Sequence, residues 1–337
     1  MRDDFNRTDL TPIFILGMSQ RTGTNFLGEL LRLHPRCTSP VVWEDFLAAY
    51  SDLLVSYAAQ VSSNWNPEWG IDRNHGRDLI CRHLGEGLIS FLQSQRVITP
   101  VDPAIGPSST VVSVKEMGKR VVTKTPSVRS LQYFFKIFPQ AQLLILVRDG
   151  RAVVESAVKS FNRNYEEEMR HWAVSAHTIL QFRQSVDHCD RPYMLVRYED
   201  LWMHREQELR RIFSFLDLDV ESYDFAAADK VPIRGSSTLV EQGIKVDWVP
   251  VENSPSFNPM QRWAHWDRRL HERFNWITGD YLGRFGYEKK IYPGNGSFWT
   301  LWNMALDTRY FIRESVRDPK GLARRLLVLF RLSSRSD

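Results

Sequence analysis

Two stretches of this 337-residue chain carry side chains suited to gripping a phosphate-like anion. The first is Gly17-Met-Ser-Gln-Arg-Thr-Gly-Thr24, where Arg21 supplies charge, Thr22 and Thr24 supply hydroxyls, and Gly23 permits close backbone approach. Backbone N–H groups from Thr24 and Asn25, at the start of the helix that follows, point at the same place. The second is Leu143-Leu-Ile-Leu-Val-Arg-Asp-Gly-Arg-Ala-Val-Val-Glu-Ser156, where an apolar strand delivers Arg148 and the next helix presents Ser156 one to two turns in. The planar guanidinium fork donates two parallel hydrogen bonds, which suits phosphate. Alone, the first stretch could be a capped strand-to-helix turn and Arg148-Asp149-Gly150-Arg151 a surface turn with local ion pairs. Together they point to a ligand with two anionic ends.

The first loop departs from the nucleoside-triphosphate pattern G-x-x-x-x-G-K-[ST]. Five residues separate Gly17 from Gly23, Thr24 stands where lysine belongs, and the cation lies earlier, at Arg21. The strand Leu143 to Val147 runs into Arg148 rather than an aspartate placed for magnesium, although Asp149 follows. A metal-free phosphate loop fits better, so no metal ligands are assigned. A magnesium-dependent nucleotide kinase of the same fold class and a non-catalytic nucleotide or membrane-surface binder are the rival readings.

Positioning these groups needs strands that end side by side. Pro12 to Gly17, Arg120 to Thr123, Leu143 to Val147 and Tyr193 to Val196 are short apolar runs, each followed by helix-like spacing from about Thr24, Ser127, Gly150 and Asp200. Alternating strands and helices predict a three-layer α/β fold: a central parallel sheet flanked by helices, with a P-loop-like phosphate-binding loop after the first strand. Residues 43 to 97 are expected to form a helical insertion rich in aromatics, and Val97 to Gly118 a loop. Lys230 to Pro259 should lead into a helix bearing Trp263, Trp266 and Leu270.

These motifs resemble the sulfotransferases that use 3′-phosphoadenosine 5′-phosphosulfate (PAPS). Gln20-Arg-Thr-Gly-Thr24 is similar to that family's 5′-phosphosulfate loop, commonly Arg-Ser-Gly-Thr-Thr, and Arg148 with Ser156 matches its 3′-phosphate pair. Val122-Thr-Lys-Thr-Pro126, Phe138-Pro139, Val147-Arg-Asp-Gly-Arg-Ala152 and Val196-Arg-Tyr-Glu-Asp-Leu201 resemble the tyrosylprotein branch and its bacterial relatives, over about residues 12 to 290. The resemblance implies sulfuryl transfer to a hydroxyl or amine acceptor (carbohydrate, phenol, lipid or peptide), with adenosine 3′,5′-bisphosphate as product. It also implies catalytic roles for Arg21 and Lys124, and nucleotide contacts from Arg21, Thr22, Gly23, Thr24, Asn25, Arg148 and Ser156. In the tyrosylprotein branch a glutamate shortly after the first helix is the general base. Here Glu44 and Asp45 follow the His34-Pro35 turn two residues out of register, so Glu44, Asp45 or neither takes that role. The segment Pro232-Ile-Arg-Gly-Ser-Ser237 resembles the part that closes over the nucleotide, which implicates Arg234, Gly235 and Ser236. Trp43, Tyr50, Trp65 and Trp69 are expected either to wall an acceptor site or to pack as core.

Composition narrows the remaining classes. Lys and Arg number 44 against 40 Asp and Glu, a net +4 too thin for a nucleic-acid surface. Three scattered cysteines imply neither a disulfide framework nor a zinc site. The polar N-terminus lacks a signal-peptide apolar stretch and no run is long enough to span a bilayer, so a soluble, cytoplasmic protein is expected. Residues 1–290 read as one α/β domain. Residues 291–337 read as a basic amphipathic helical tail, able to pack on its own domain or a partner or to touch a membrane surface peripherally.

Overall fold

The computed structural model describes residues 11–39, 44–94, 118–185, 192–231 and 258–318, and the backbone alone of 233–234 and 250–251. The chain opens with β1 (Ile13–Gly17), α1 (Thr24–Arg32) and β2 (Cys37–Thr38), then the antiparallel helices α2 (Ser51–Ser63) and α3 (Arg73–Ser94). It continues through β3 (Arg120–Thr125), α4 (Phe134–Ile137), β4 (Gln142–Val147), α5 (Gly150–Phe161) and α6 (Tyr165–Gln184). Then come β5 (Tyr193–Arg197), α7 (Tyr198–Met203), α8 (Arg205–Leu216), α9 (Phe225–Asp229), β6 (Ile233–Arg234) and β7 (Pro250–Val251). The last elements are α10 (Arg268–Thr278), α11 (Tyr281–Arg284) and α12 (Gly296–Arg317).

Five strands form one all-parallel sheet in the order β2-β3-β1-β4-β5, and β6 pairs antiparallel with β7 in a separate two-stranded sheet. β1 and β4 are continuous apolar runs because both faces of the sheet are covered. Side chains alternate across it. Ile13, Ile15, Leu144 and Leu146 pack with Phe26, Leu27 and Leu30 of α1 and with Ile212 and Phe213 of α8. Phe14, Leu16, Ile145 and Val147 pack on the opposite side with Phe134, Val153, Met169 and Trp172. The expected three-layer α/β architecture is therefore present.

Register decides what reaches the site. Ile15 lies opposite Lys124, Leu16 opposite Thr125, and Gly17 opposite Leu146. The loops after β1, β3 and β4 thus leave one edge together, and chain connections diverge there because β1 has β3 on one side and β4 on the other. Such a divergence is where open α/β sheets bind ligands.

Two expected helices start late. After β3 the chain turns through Pro126 and Ser127 and reaches only a short helical segment at Phe134–Ile137, whereas a helix was expected from Ser127. Trp263 and Trp266 lie in turns before α10, not on it, because Asp267 caps that helix by accepting from the Leu270 N–H. The α2–α3 pair packs on α4 through Gly85: a Cβ there would fall 1.7 Å from the carbonyl oxygen of Ile137, the last residue of α4, so only glycine permits this approach.

Candidate active site

The loop after β1 is shaped by its own polar groups. The Thr22 hydroxyl is wholly buried, donating to the Ser19 carbonyl at 2.7 Å and accepting from the Ser19 N–H at 3.2 Å. It holds the turn and does not face outward. Gly23 precedes α1 with φ 106°, and a Cβ there would lie 2.4 Å from the Tyr198 ring, so both conformation and space require glycine. Arg21 sits at φ 71°, an uncommon region for a residue with a side chain. That backbone turn sends its guanidinium across to α5, where Nε donates to Ser156 Oγ at 3.0 Å.

Three arginines meet at this point. Arg262, from the segment before α10, donates to the same Ser156 oxygen at 2.7 Å. Arg148, at the end of β4, stacks over the Tyr198 ring at 4.2 Å and donates to the carbonyls of Arg21 at 2.6 Å and Pro259 at 2.5 Å. Burial, with Arg262 and Arg148 close by, pulls the Arg21 pKa down to about 10. Burial and Arg148 lower that of Arg262. Like charges crowded out of water are the signature of a polyanion site. Neighbouring Asp149 takes no part. It caps α5 and pairs with Arg151 through contacts of 2.7 and 3.0 Å, the local turn chemistry expected of that stretch.

A second group lies across the loop. Lys124, 6% exposed, bonds Asn25 Oδ1 and lies 3.3 Å from Glu44 Oε1. Burial lowers its pKa, and Glu44 opposes that shift. Lys124 emerges on the α1 face of β3, whereas Thr123 and Thr125 emerge on the other face, where both meet Asp45. Asp45 also accepts from the Leu47 N–H at 2.8 Å. Glu44 and Asp45 therefore straddle the end of β3, one carboxylate per face. Burial pushes the Asp45 carboxyl up to about 6.

The fold thus gathers Arg21, Thr22, Gly23, Thr24, Asn25, Lys124, Arg148, Ser156 and Glu44 at one sheet edge. Gly235 and Ser236 lie outside the described residues, as does Trp43, and of Arg234 only the backbone in β6 is described. The remaining aromatics form no single wall. Tyr50 is half exposed with Arg129 over its ring at 5.3 Å, Trp65 lies against the backbone of Gly76, and Trp69 is exposed. His34 is structural: its Nε2 lies 2.9 Å from the Asp219 carbonyl and its Nδ1 accepts from the Arg36 N–H. Sequence reasoning missed Arg262 and Tyr198. Tyr198 follows β5 directly, so its place at the carboxyl edge was a usable signal. Arg262 sits in an irregular stretch, Pro259-Met-Gln-Arg-Trp263, with nothing local to mark it.

Residues 12–222 match the model of the "Sulfotransferase family". The chain belongs to that family. It is 24% identical over 229 residues to protein-tyrosine sulfotransferase A of Caenorhabditis elegans, covering 64% of this chain and 52% of that one. It is 31% identical over 196 residues to protein-tyrosine sulfotransferase 1 of Danio rerio, covering 55% and 53%. The chain spans about half the length of these relatives. Among solved structures, a sulfotransferase domain from the curacin biosynthetic pathway superposes with TM-score 0.49 at 16% identity, covering 83% of this chain and 99% of that one. A sulfotransferase domain from the Synechococcus PCC 7002 olefin synthase gives TM-score 0.46 at 19% identity, covering 84% and 97%.

Proposed function

We propose that the chain is an enzyme that transfers a sulfuryl group from PAPS to a hydroxyl-bearing acceptor, without a metal ion. The observation that carries this reading is the convergence of Arg21, Arg148 and Arg262 around Ser156, at the same sheet edge as Lys124 and Glu44. That donor set fits a nucleotide with an anion at each end. Arg148, Ser156 and Arg262 hold the 3′-phosphate. Arg21, the amides of Thr24 and Asn25, and the backbone curvature set by Gly23 hold the 5′ end. Arg234, Gly235 and Ser236 are assigned to cover the nucleotide by the resemblance alone.

The donor brings an activated sulfuryl group, whose in-line transfer has a loose, charge-separated transition state, as in phosphoryl transfer. Most of the work then falls to positioning and charge. Lys124 is stripped of water and fixed by Asn25, so its ammonium is in place to neutralise charge growing on the leaving phosphate oxygen. Glu44 takes the proton from the acceptor hydroxyl. Its side chain is 26% exposed, so an arriving hydroxyl can reach it. Asp45 is held by Thr123, Thr125 and the Leu47 N–H, which leaves Glu44 as the base and Asp45 as its anchor. A peptide tyrosine is the acceptor to try first, since the curated relatives carry protein-tyrosine sulfotransferase names.

Calorimetric titration with adenosine 3′,5′-bisphosphate in the presence of a chelator tests the donor assignment. Saturable binding is expected, weakened at least about tenfold in Arg148→Ala, the loss of one charge-assisted contact. No binding to the parent, or equal binding to a folded Arg148→Ala, overturns it. Transfer from sulfur-labelled PAPS to a tyrosine peptide then tests the acceptor, with sugars, phenols and lipids alongside.

A further inference from the structure

Next to Ser156, α5 buries a carboxylate. The Glu155 side chain is 0% exposed, so it faces protein and not ligand. A buried charge is costly unless it is paired, and Glu155 is paired on both oxygens. Oε2 accepts from the Trp266 indole and from the Tyr165 hydroxyl, each at 2.7 Å, while Oε1 lies 2.9 Å from Lys159 and 3.3 Å from His265 Nε2. Burial alone would raise its pKa, yet Lys159, Trp266 and Tyr165 together hold it below the usual carboxylate value. Glu155 is therefore an anion at neutral pH.

Trp266 belongs to the same irregular segment as Arg262. From Pro259 to Asp267 the described chain holds no helix or strand, and its backbone closes turns from Ala264 to Gln261 and from Trp266 to Trp263. Side chains pin it in place. Arg148 donates to the Pro259 carbonyl at 2.5 Å at one end, Arg151 stacks on the Trp263 ring at 3.8 Å in the middle, and Glu155 takes the Trp266 N–H at the other end. Arg148 is itself assigned to the phosphate and Arg151 contributes a stacking contact. That leaves the Glu155–Trp266 hydrogen bond, with its charged acceptor, as the directional anchor. Arg262 lies between these pins and reaches Ser156 at 2.7 Å, so one segment is joined twice to two consecutive residues of one helix. Charge works in the same sense. Burial and then Arg148 lower the Arg262 pKa, and Glu155 is among the groups that oppose the shift.

We propose, resting on the nucleotide reading above, that Glu155 is a positioning residue for the 3′-phosphate: through Trp266 it holds Arg262 against Ser156, without touching the nucleotide. The 5′ end of the ligand, held by Arg21 and the loop after β1, is outside its reach.

Calorimetric titration of the full chain with adenosine 3′,5′-bisphosphate and adenosine 5′-monophosphate tests this in Glu155→Gln and Trp266→Phe, each with and without Arg262→Ala. Glu155→Gln removes the charge at nearly constant volume, and Trp266→Phe removes the indole N–H. Each should weaken the bisphosphate about tenfold or more, the loss of one charge-assisted bond, and change the monophosphate by about twofold or less. With Arg262→Ala in place, each should change bisphosphate affinity by about twofold or less, because the residue it positions is gone. A role in folding alone would cost both nucleotides alike, and that result overturns the proposal. So does a loss that persists undiminished beside Arg262→Ala, or parent affinity for both nucleotides in the folded variants. If Glu155→Gln fails to fold, Trp266→Phe carries the same comparison. A parent that does not bind the bisphosphate overturns the nucleotide reading and this role with it, whereas a binding parent with unaltered variants overturns only the role of Glu155.

Discussion

Removing the Arg262 guanidinium is the sharpest trial of the anion site, because the arrangement around Ser156 gives the experiment an internal control. Arg262 and Arg21 donate to the same hydroxyl at 2.7 and 3.0 Å, and Arg148 lies close enough to lower the pKa of both arginines. The cluster is self-repulsive until an anion arrives, so each arginine contributes to ligand binding more than to folding. Arg262 is half-buried, where a hydrogen bond from a charged donor contributes about 1.5–3 kcal/mol. Arg262→Ala should therefore weaken adenosine 3′,5′-bisphosphate about 10- to 150-fold at a few kelvin or less of change in melting temperature. Adenosine 5′-monophosphate, which lacks the 3′ anion, should bind the parent more weakly and lose much less on the same substitution. Calorimetry with both nucleotides on both proteins completes a cycle in which only the 3′-phosphate differs. If the two nucleotides lose equally, or neither loses, Arg262 does not serve the 3′ end and the reasoning fails.

Four further outcomes follow from the same geometry. Lys124→Ala should lower the rate of sulfuryl transfer about 10²- to 10³-fold, the usual effect of deleting one preorganised charge stabiliser, and Glu44→Gln should lower it while leaving bisphosphate affinity within about twofold; single-turnover assays with labelled PAPS read both. Asp45, raised to about 6 by burial, binds its proton more tightly in the folded chain than in the unfolded one, so its contribution is fully present below about pH 3.8 and is lost as pH rises through 6. Denaturant melts should then show the parent losing up to about 3 kcal/mol relative to Asp45→Asn between pH 4 and 7, and parallel curves would refute it. Gly85→Ala forces a methyl into the Ile137 carbonyl, so it should cost roughly 1–3 kcal/mol and lower the melting temperature by several degrees while sparing nucleotide affinity per folded molecule.

The parts of this fold legible in the sequence are those fixed by local chemistry. The apolar runs of β1 and β4 are buried on both faces and admit no alternative placement, and Gly23 and Arg148 announce themselves at their ends. Three things could not be read, each because distance in sequence hides proximity in space. β2 is two residues long, too short for any pattern, and exists because β3 offers it a ladder. The stretch after β3 looked helical from its apolar spacing, yet Phe134 and Phe138 serve mainly as core against Phe14, with Phe135 edge-on to Phe134. Arg262 lies 106 residues from Ser156 and is brought there only by the packing of α10 on α6. The ambiguity between Glu44 and Asp45 was one of register. The side-chain alternation of β3 resolves their surroundings, giving Lys124 to one and the paired threonines to the other.

The central position of β1 shapes how the chain is made. Its neighbours, β3 and β4, begin more than 100 residues downstream. At a synthesis rate of about 5–20 residues per second, β1 and the apolar face of α1 emerge from the ribosome roughly 5–25 s before both partner strands exist. During that interval Phe26, Leu27, Leu30 and Leu31, all fully buried or nearly so in the finished protein, have no sheet to cover. Production of this protein is thus expected to depend on chaperones that bind nascent chains, and slower translation would lengthen the exposure rather than relieve it.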